Sequence, residues 1–184
     1  MLSTIVFMES QTETTRQGRD PLEALVRTLA SLVRANVEGL VRDVAIAGPF
    51  GLDLATVADH AGCGLFEAKN EAGWLRLAIE AARGPEVFLL RSGRAPDAGF
   101  IEEAGDFLAS ASRAGLSGDG RSRAARMTCA PENFVERLFP RAAPAAGLIA
   151  PRALLLAGPV KEFAGLARFV RPETTLRTNA RRIG

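Results

Sequence analysis

The feature that most constrains this chain is a repeated change of hydrophobic period. Short apolar runs of strand length alternate with stretches whose apolar residues recur at helical spacing. Leu2–Met8 is apolar and partly β-branched, as a buried strand requires. Glu9–Arg19 is polar and without period, and reads as a loop. A helix then opens sharply, with Asp20 as N-cap, Pro21 at the first helical position and Glu23 completing a capping box. Leu22, Leu25, Val26, Leu29, Leu32, Val33 and Val37 form its apolar face, and Gly39 is a stop. Val41–Ala47 predicts a second strand, Gly48-Pro49-Phe50-Gly51 a turn, and Leu54, Val57, Ala58 and Ala61 a short helix ended by Gly62. Cys63–Phe66 predicts a short strand. Trp74, Leu77, Ala78 and Ala81 predict a helix face closed at Gly84, and Val87–Leu90 a strand buried on both sides.

The later half carries the same rhythm less clearly. Asp97 can cap a helix bearing Phe100, Ile101, Ala104, Phe107 and Leu108. Gly115–Gly120 reads as a turn, Arg123–Cys129 as a strand and Glu132–Phe139 as a helical turn. Ala146–Ala150 reads as a last core strand, and Arg152–Leu156 opens a helix. Residues 1–173 are thus expected to form a single α/β domain, a mostly parallel sheet flanked by helices. Thr174–Gly184 is polar and basic and is expected to be a surface tail. Ligands of such sheets sit at the carboxyl ends of the strands, which singles out Glu9–Arg19, Gly48–Asp53 and Arg91–Asp97.

Composition narrows the function classes. With 184 residues and 47% apolar content, the chain can bury a core of one domain. A net charge of +2 gives no reason to expect a nucleic-acid partner. Lys69 and Lys161 are the only lysines, and the excess of arginine is also what a GC-rich bacterial genome produces. Cys63 and Cys129 have no metal or redox spacing and read as reduced thiols of a cytoplasmic protein. His60 stands alone, and Trp74 belongs to a packed helix face. Met1–Met8 lacks the basic start and cleavage site of a signal peptide. Ala142–Val160 is interrupted by Pro144, Pro151, Arg152 and Pro159, so no membrane span is expected.

Several fragments, in order, resemble the family-2 glycosyltransferases and their nucleotide-sugar-binding GT-A fold. Leu25-Val26-Arg27-Thr28-Leu29-Ala30-Ser31-Leu32 is similar to the family's first helix. Val41–Asp53 followed by Ala58-Asp59-His60-Ala61-Gly62 is similar to its second strand and helix. Ala78-Ile79-Glu80-Ala81-Ala82-Arg83-Gly84 running into Glu86–Leu90 is similar to its next helix and strand. The resemblance covers about residues 1–110, with a fainter match at Gly147–Arg152 and Leu156–Gly158.

The resemblance implies site positions, and the departures there are informative. The family's base-holding aspartate at the end of the second strand is replaced by Gly48, while Asp53 matches the loop's second aspartate. The metal-binding D-x-D after the fourth strand is matched by Arg91-Ser92-Gly93. No residue matches the family's later catalytic base; Glu162 is nearest in sequence. On this reading Arg91 and Arg94 are candidates for a diphosphate and Asp53 for the nucleoside, and Glu9 ends the first strand, where a nucleotide ligand can lie. No divalent metal is expected. Each has a plainer alternative: surface arginines on a loop, a helix N-cap at Asp53, a first solvated residue at Glu9. Gly48-Pro49-Phe50-Gly51 lacks a phosphate-loop pattern, and Pro49 removes a donor, which counts against a Rossmann dinucleotide site. The expected function is a divergent glycosyltransferase acting on a nucleotide-sugar. The alternative is a non-catalytic relative that binds partners, including as a homodimer. Acceptors of this family often lie at membranes, so a place at the inner membrane's surface fits the resemblance.

Overall fold

The computed structural model describes residues 1–9, 20–116, 123–131, 138, 143–159 and 161–183. The expected turn at Gly115–Gly120, the helical turn at Glu132–Phe139 and the loop Glu9–Arg19 lie largely outside these residues.

Strand β1 (Leu2–Phe7) leads to helix α1 (Pro21–Val37), then β2 (Val41–Pro49), α2 (Leu54–Ala61), β3 (Gly64–Ala68), α3 (Glu71–Ala81) and β4 (Glu86–Arg91). β5 (Arg94–Pro96), α4 (Phe100–Leu116), β6 (Ala125–Thr128), β7 (Ala145–Pro151), α5 (Arg152–Ala157), α6 (Phe163–Val170), β8 (Thr174–Thr175) and β9 (Ala180–Arg182) follow. Seven strands form one sheet in the order β3-β2-β1-β4-β7-β6-β8. β7 alone runs against the others, antiparallel to both β4 and β6. The expected α/β domain with a mostly parallel sheet between helices is the architecture found.

Local chemistry explains the early elements. The Asp20 carboxylate accepts the Leu22 amide at 2.9 Å and so caps α1. Glu23 does not close the expected capping box; its carboxylate pairs with Arg27 one turn on, at 2.6 Å. Alternation along each strand divides the core between two faces. Leu2, Val6, Ile46, Phe88 and Leu90 pack beneath α1, α2 and α4. Ile5, Phe7, Ala47, Val87 and Leu89 pack beneath α3, α5 and α6 with Trp74 and Phe163. Each such fully buried side chain contributes about 1.5–3 kcal/mol.

Two expectations need correction. The turn expected at Gly48–Gly51 begins later, because β2 continues to Pro49, with Gly48 opposite Glu67 and Pro49 opposite Ala68. Proline is tolerated there because β1 has already ended beside β2, so the missing N–H deprives no ladder. The C-terminal residues are not a surface tail. β8 extends the large sheet beside β6, and β9 pairs antiparallel with β5, while Leu176 and Ala180 are buried. The Glu103 carboxylate accepts the amides of Arg177 and Thr178 at 2.7 and 2.8 Å and the Thr178 hydroxyl at 2.6 Å. Charged residues in β9 hid this from a reading by hydrophobic period, since the strand has only Ala180 facing inward.

Candidate functional site

β1, β2 and β4 end side by side. Phe7 lies opposite Ala47 on one side and Arg91 on the other. The Met8 amide donates to Ala47 O at 2.8 Å and the Ser92 amide to Phe7 O at 2.9 Å. The turns after β2 and β4 therefore share one rim, with Glu9 between them, as the strand order predicted.

The β2 side of this rim is apolar and full. A Cβ placed on Gly48 would lie 2.7 Å from both Met8 Cγ and Leu54 Cδ1, and both of those residues are buried. Glycine is required by this close approach. Asp53 follows in the left-handed region, at φ 46°, immediately before α2. It occupies the N-cap position, but its carboxylate accepts the Thr56 hydroxyl at 2.8 Å and bonds no backbone amide of the helix.

The β4 side is charged. The Arg91 guanidinium pairs with the Glu9 carboxylate and stands 5.2 Å over the Phe163 ring. Phe163 in turn lies 4.7 Å from Phe7, so the aromatic floor is part of the core. Arg91 Nε and Ser92 Oγ are buried without a hydrogen-bond partner among the described residues. Glu71, at the start of α3, accepts the Phe163 amide at 2.7 Å. Burial pushes the Glu71 carboxyl up. The Phe163 amide and the Arg91 charge oppose that rise, and Glu162 and Glu9 add to it. Glu162 occupies the N-cap position of α6 and lies 4.0 Å from Arg168.

Arg94 parts company with Arg91. It opens β5 opposite Arg182, and the preceding Gly93 donates to Thr28 Oγ1 at 2.9 Å and accepts the Ile183 amide at 3.0 Å. Of the four predicted residues, the structure brings Glu9 and Arg91 into contact. It places Asp53 at α2 and Arg94 in the small β5–β9 sheet. Sequence reasoning missed Glu71, although it follows the carboxyl end of β3 and so meets the same rule that singled out Arg91. Phe163 carries no local signal, because α6 is brought to the rim only by tertiary packing. Among the described residues, no three His, Cys, Asp or Glu side chains converge in a way that could hold a metal ion. No helix among them is long and apolar enough to cross a membrane.

No protein-family model and no curated protein matches this chain by sequence. Solved structures match it by fold. The crystal structure of HddC from Yersinia pseudotuberculosis superposes with a TM-score of 0.54 at 7% identity, covering 98% of this chain and 92% of that one. Glucosyl-3-phosphoglycerate synthase from Mycobacterium tuberculosis, solved with Mn2+, UDP and phosphoglyceric acid, gives 0.54 at 15% identity over 95% and 67% of the two chains. A 4-diphosphocytidyl-2C-methyl-D-erythritol synthase from Anaerococcus prevotii gives 0.52 at 10% over 95% and 87%. The chain spans only 54% of the length of a further match, a mycobacterial protein, with a TM-score of 0.51 at 17% identity. The mycobacterial synthase corrects the expectation that no divalent metal is involved, because the same fold there is seen with Mn2+ beside UDP. The chain has a GT-A-like α/β fold.

Proposed function

We propose that this protein binds a nucleotide-sugar at the rim formed by β1, β2 and β4 and transfers the sugar. The observation that carries the reading is the position of Arg91. It stands at the carboxyl end of β4, held on the Phe163 ring, with an unpartnered buried Nε. In open α/β sheets this is where ligands lie, and a guanidinium suits phosphoryl oxygens through paired N–H donors. Arg91 faces the diphosphate with Glu9 beside it, Asp53 is the carboxylate assigned to the nucleoside, and Arg94 lends charge from β5. A divalent ion arriving with the diphosphate would offset its charge, as such ions do for leaving phosphates.

Thermal denaturation with UDP, GDP, CDP and their sugars, each with and without Mn2+, tests this. One nucleotide at about a hundredfold over its Kd should add about 2.7 kcal/mol, and Arg91→Ala should abolish the gain. Glu71 and Glu162 are the carboxylates to test next as proton acceptors for an incoming hydroxyl, by transfer rate against pH.

A second reading has its own support. Gly48 is closely packed by Met8 and Leu54, so position 48 has no free space for a carboxylate. That favours a non-catalytic relative that uses the fold for interaction. A mass that rises with concentration, with no stabilisation by any nucleotide, would select it.

A further inference from the structure

The neighbours of Arg91 raise a question that the proposed function leaves open, namely what the guanidinium does before a ligand arrives. It is already engaged by Glu9. The strand beneath Arg91 is locked, with Phe7 opposite Arg91 and the Ser92 amide bonded to Phe7 O, so the Arg91 backbone is fixed. Arg91 is further held by the Phe163 ring, itself fully buried. Glu9 differs. It lies beyond the last paired residue of β1, and its side chain is 29% exposed, against 19% for Arg91. Of the two, Glu9 is the side chain that can turn out to water.

We propose that Glu9 is an internal competitor for Arg91, a specificity-determining carboxylate that only a phosphorylated ligand displaces. This inference rests on the reading that the rim binds a nucleotide diphosphate. A carboxylate offers two acceptor oxygens and one negative charge. A ligand that replaces it must offer at least as much, which a phosphoryl or diphosphoryl group does and a neutral sugar or nucleoside does not. A partly exposed pair is worth little in isolation, so displacement is within reach of a dianion. The Glu71 charge remains near Arg91 after Glu9 leaves, and it keeps the site from becoming a general anion trap. Selectivity thus comes from an occupant already in place, which weak ligands fail to evict.

Calorimetric titration of the full chain with UDP, pyrophosphate and uridine, at one fixed Mn2+ concentration, tests the proposal. Wild type is compared with Glu9→Gln, Glu9→Ala, Arg91→Ala and the Glu9→Gln/Arg91→Ala pair. Both Glu9 variants should bind UDP and pyrophosphate up to about fivefold more tightly than wild type, the factor expected for losing a competing pair of this kind. Uridine should be unaffected, and the gain should vanish in the Arg91 background. Unchanged or weaker UDP binding by both Glu9 variants, with wild type still binding UDP, would overturn the competitor and leave the proposed function standing. Absence of UDP and pyrophosphate binding in every protein would overturn both. Unfolding curves with coincident midpoints for wild type and Glu9→Gln guard against a folding artefact.

Discussion

The two turns that meet at the rim solve the same packing problem in opposite ways. At the end of β2 the chain closes the space with Met8 and Leu54 against a bare Gly48, so that an added Cβ would displace both side chains. After β4, on the other side of β1, it keeps the Arg91 guanidinium and three nearby carboxylates, with Arg91 Nε and Ser92 Oγ buried and without a partner among the described residues. The apolar turn is finished by folding alone. The charged turn is unfinished, since buried polar atoms without partners carry a cost that a ligand can relieve. The contrast teaches where to look for chemistry: at β4 and β1, not at the β2 position that the resemblance to glycosyltransferases brought forward first.

The sharpest way to break this contrast is Gly48→Asp. If the β2 turn is full, the substitution combines overpacking with an unpaired buried charge and costs on the order of 3–5 kcal/mol; urea denaturation reads it directly. A stable variant with improved nucleotide affinity would instead mean that the β2 turn is a vacant base pocket. Next in size is Arg91→Ala, which should lose the nucleotide-induced stabilisation of about 2.7 kcal/mol at a hundredfold excess over Kd. Retention of that gain would move the site away from β4.

Two smaller effects sharpen the comparison by testing what surrounds the rim. Burial alone would raise the Glu103 carboxyl, but the Thr178 hydroxyl and the amides of Arg177 and Thr178 outweigh it and hold it below its usual range. A depressed carboxyl stabilises the fold above its unfolded pKa, and that contribution is lost as pH falls through the lower folded value. Glu103→Gln should therefore cost about 1 kcal/mol at pH 7, since solvent screens this partly exposed group. The cost should fade on acidification below about pH 4. Hydrogen exchange at Thr178 and Ile183 should speed up, because β9 holds Gly93 behind the charged turn. An unchanged exchange pattern would separate the C-terminal strand from the site. The smallest effect belongs to Glu71, whose carboxyl is raised mainly by burial. Its ionised form is a net penalty on the native state above the raised pKa, and the penalty is gone below the unfolded pKa. Glu71→Gln should stabilise at pH 7 by less than about 1 kcal/mol and lose that gain near pH 4. Destabilisation at pH 7 would show that the Phe163 amide needs a charged acceptor.

How much of this was legible depended on how local the physics is. The α1 start was readable from Asp20 and Pro21 because capping is settled within one turn. β1 and β4 were readable because burial on both faces leaves continuous apolar runs. The end of β2 was not, since whether Pro49 sits in a strand depends on which neighbours still need its amide. β9 was misread as tail because three residues with one inward alanine have no period, and their partner β5 is distant in sequence.

By itself the sequence determined the βα rhythm, and therefore which loops share a rim, because strand direction and crossover hand follow from chain order and chirality. It also named Glu9 and Arg91 as candidates. Only the tertiary structure decided that these two neutralise each other, that Phe163 from a late helix forms their floor, and that Arg94 is tied to β9. Those outcomes depend on distances between segments that the chain order does not specify, where a shift of one side chain changes a free cation into a paired one.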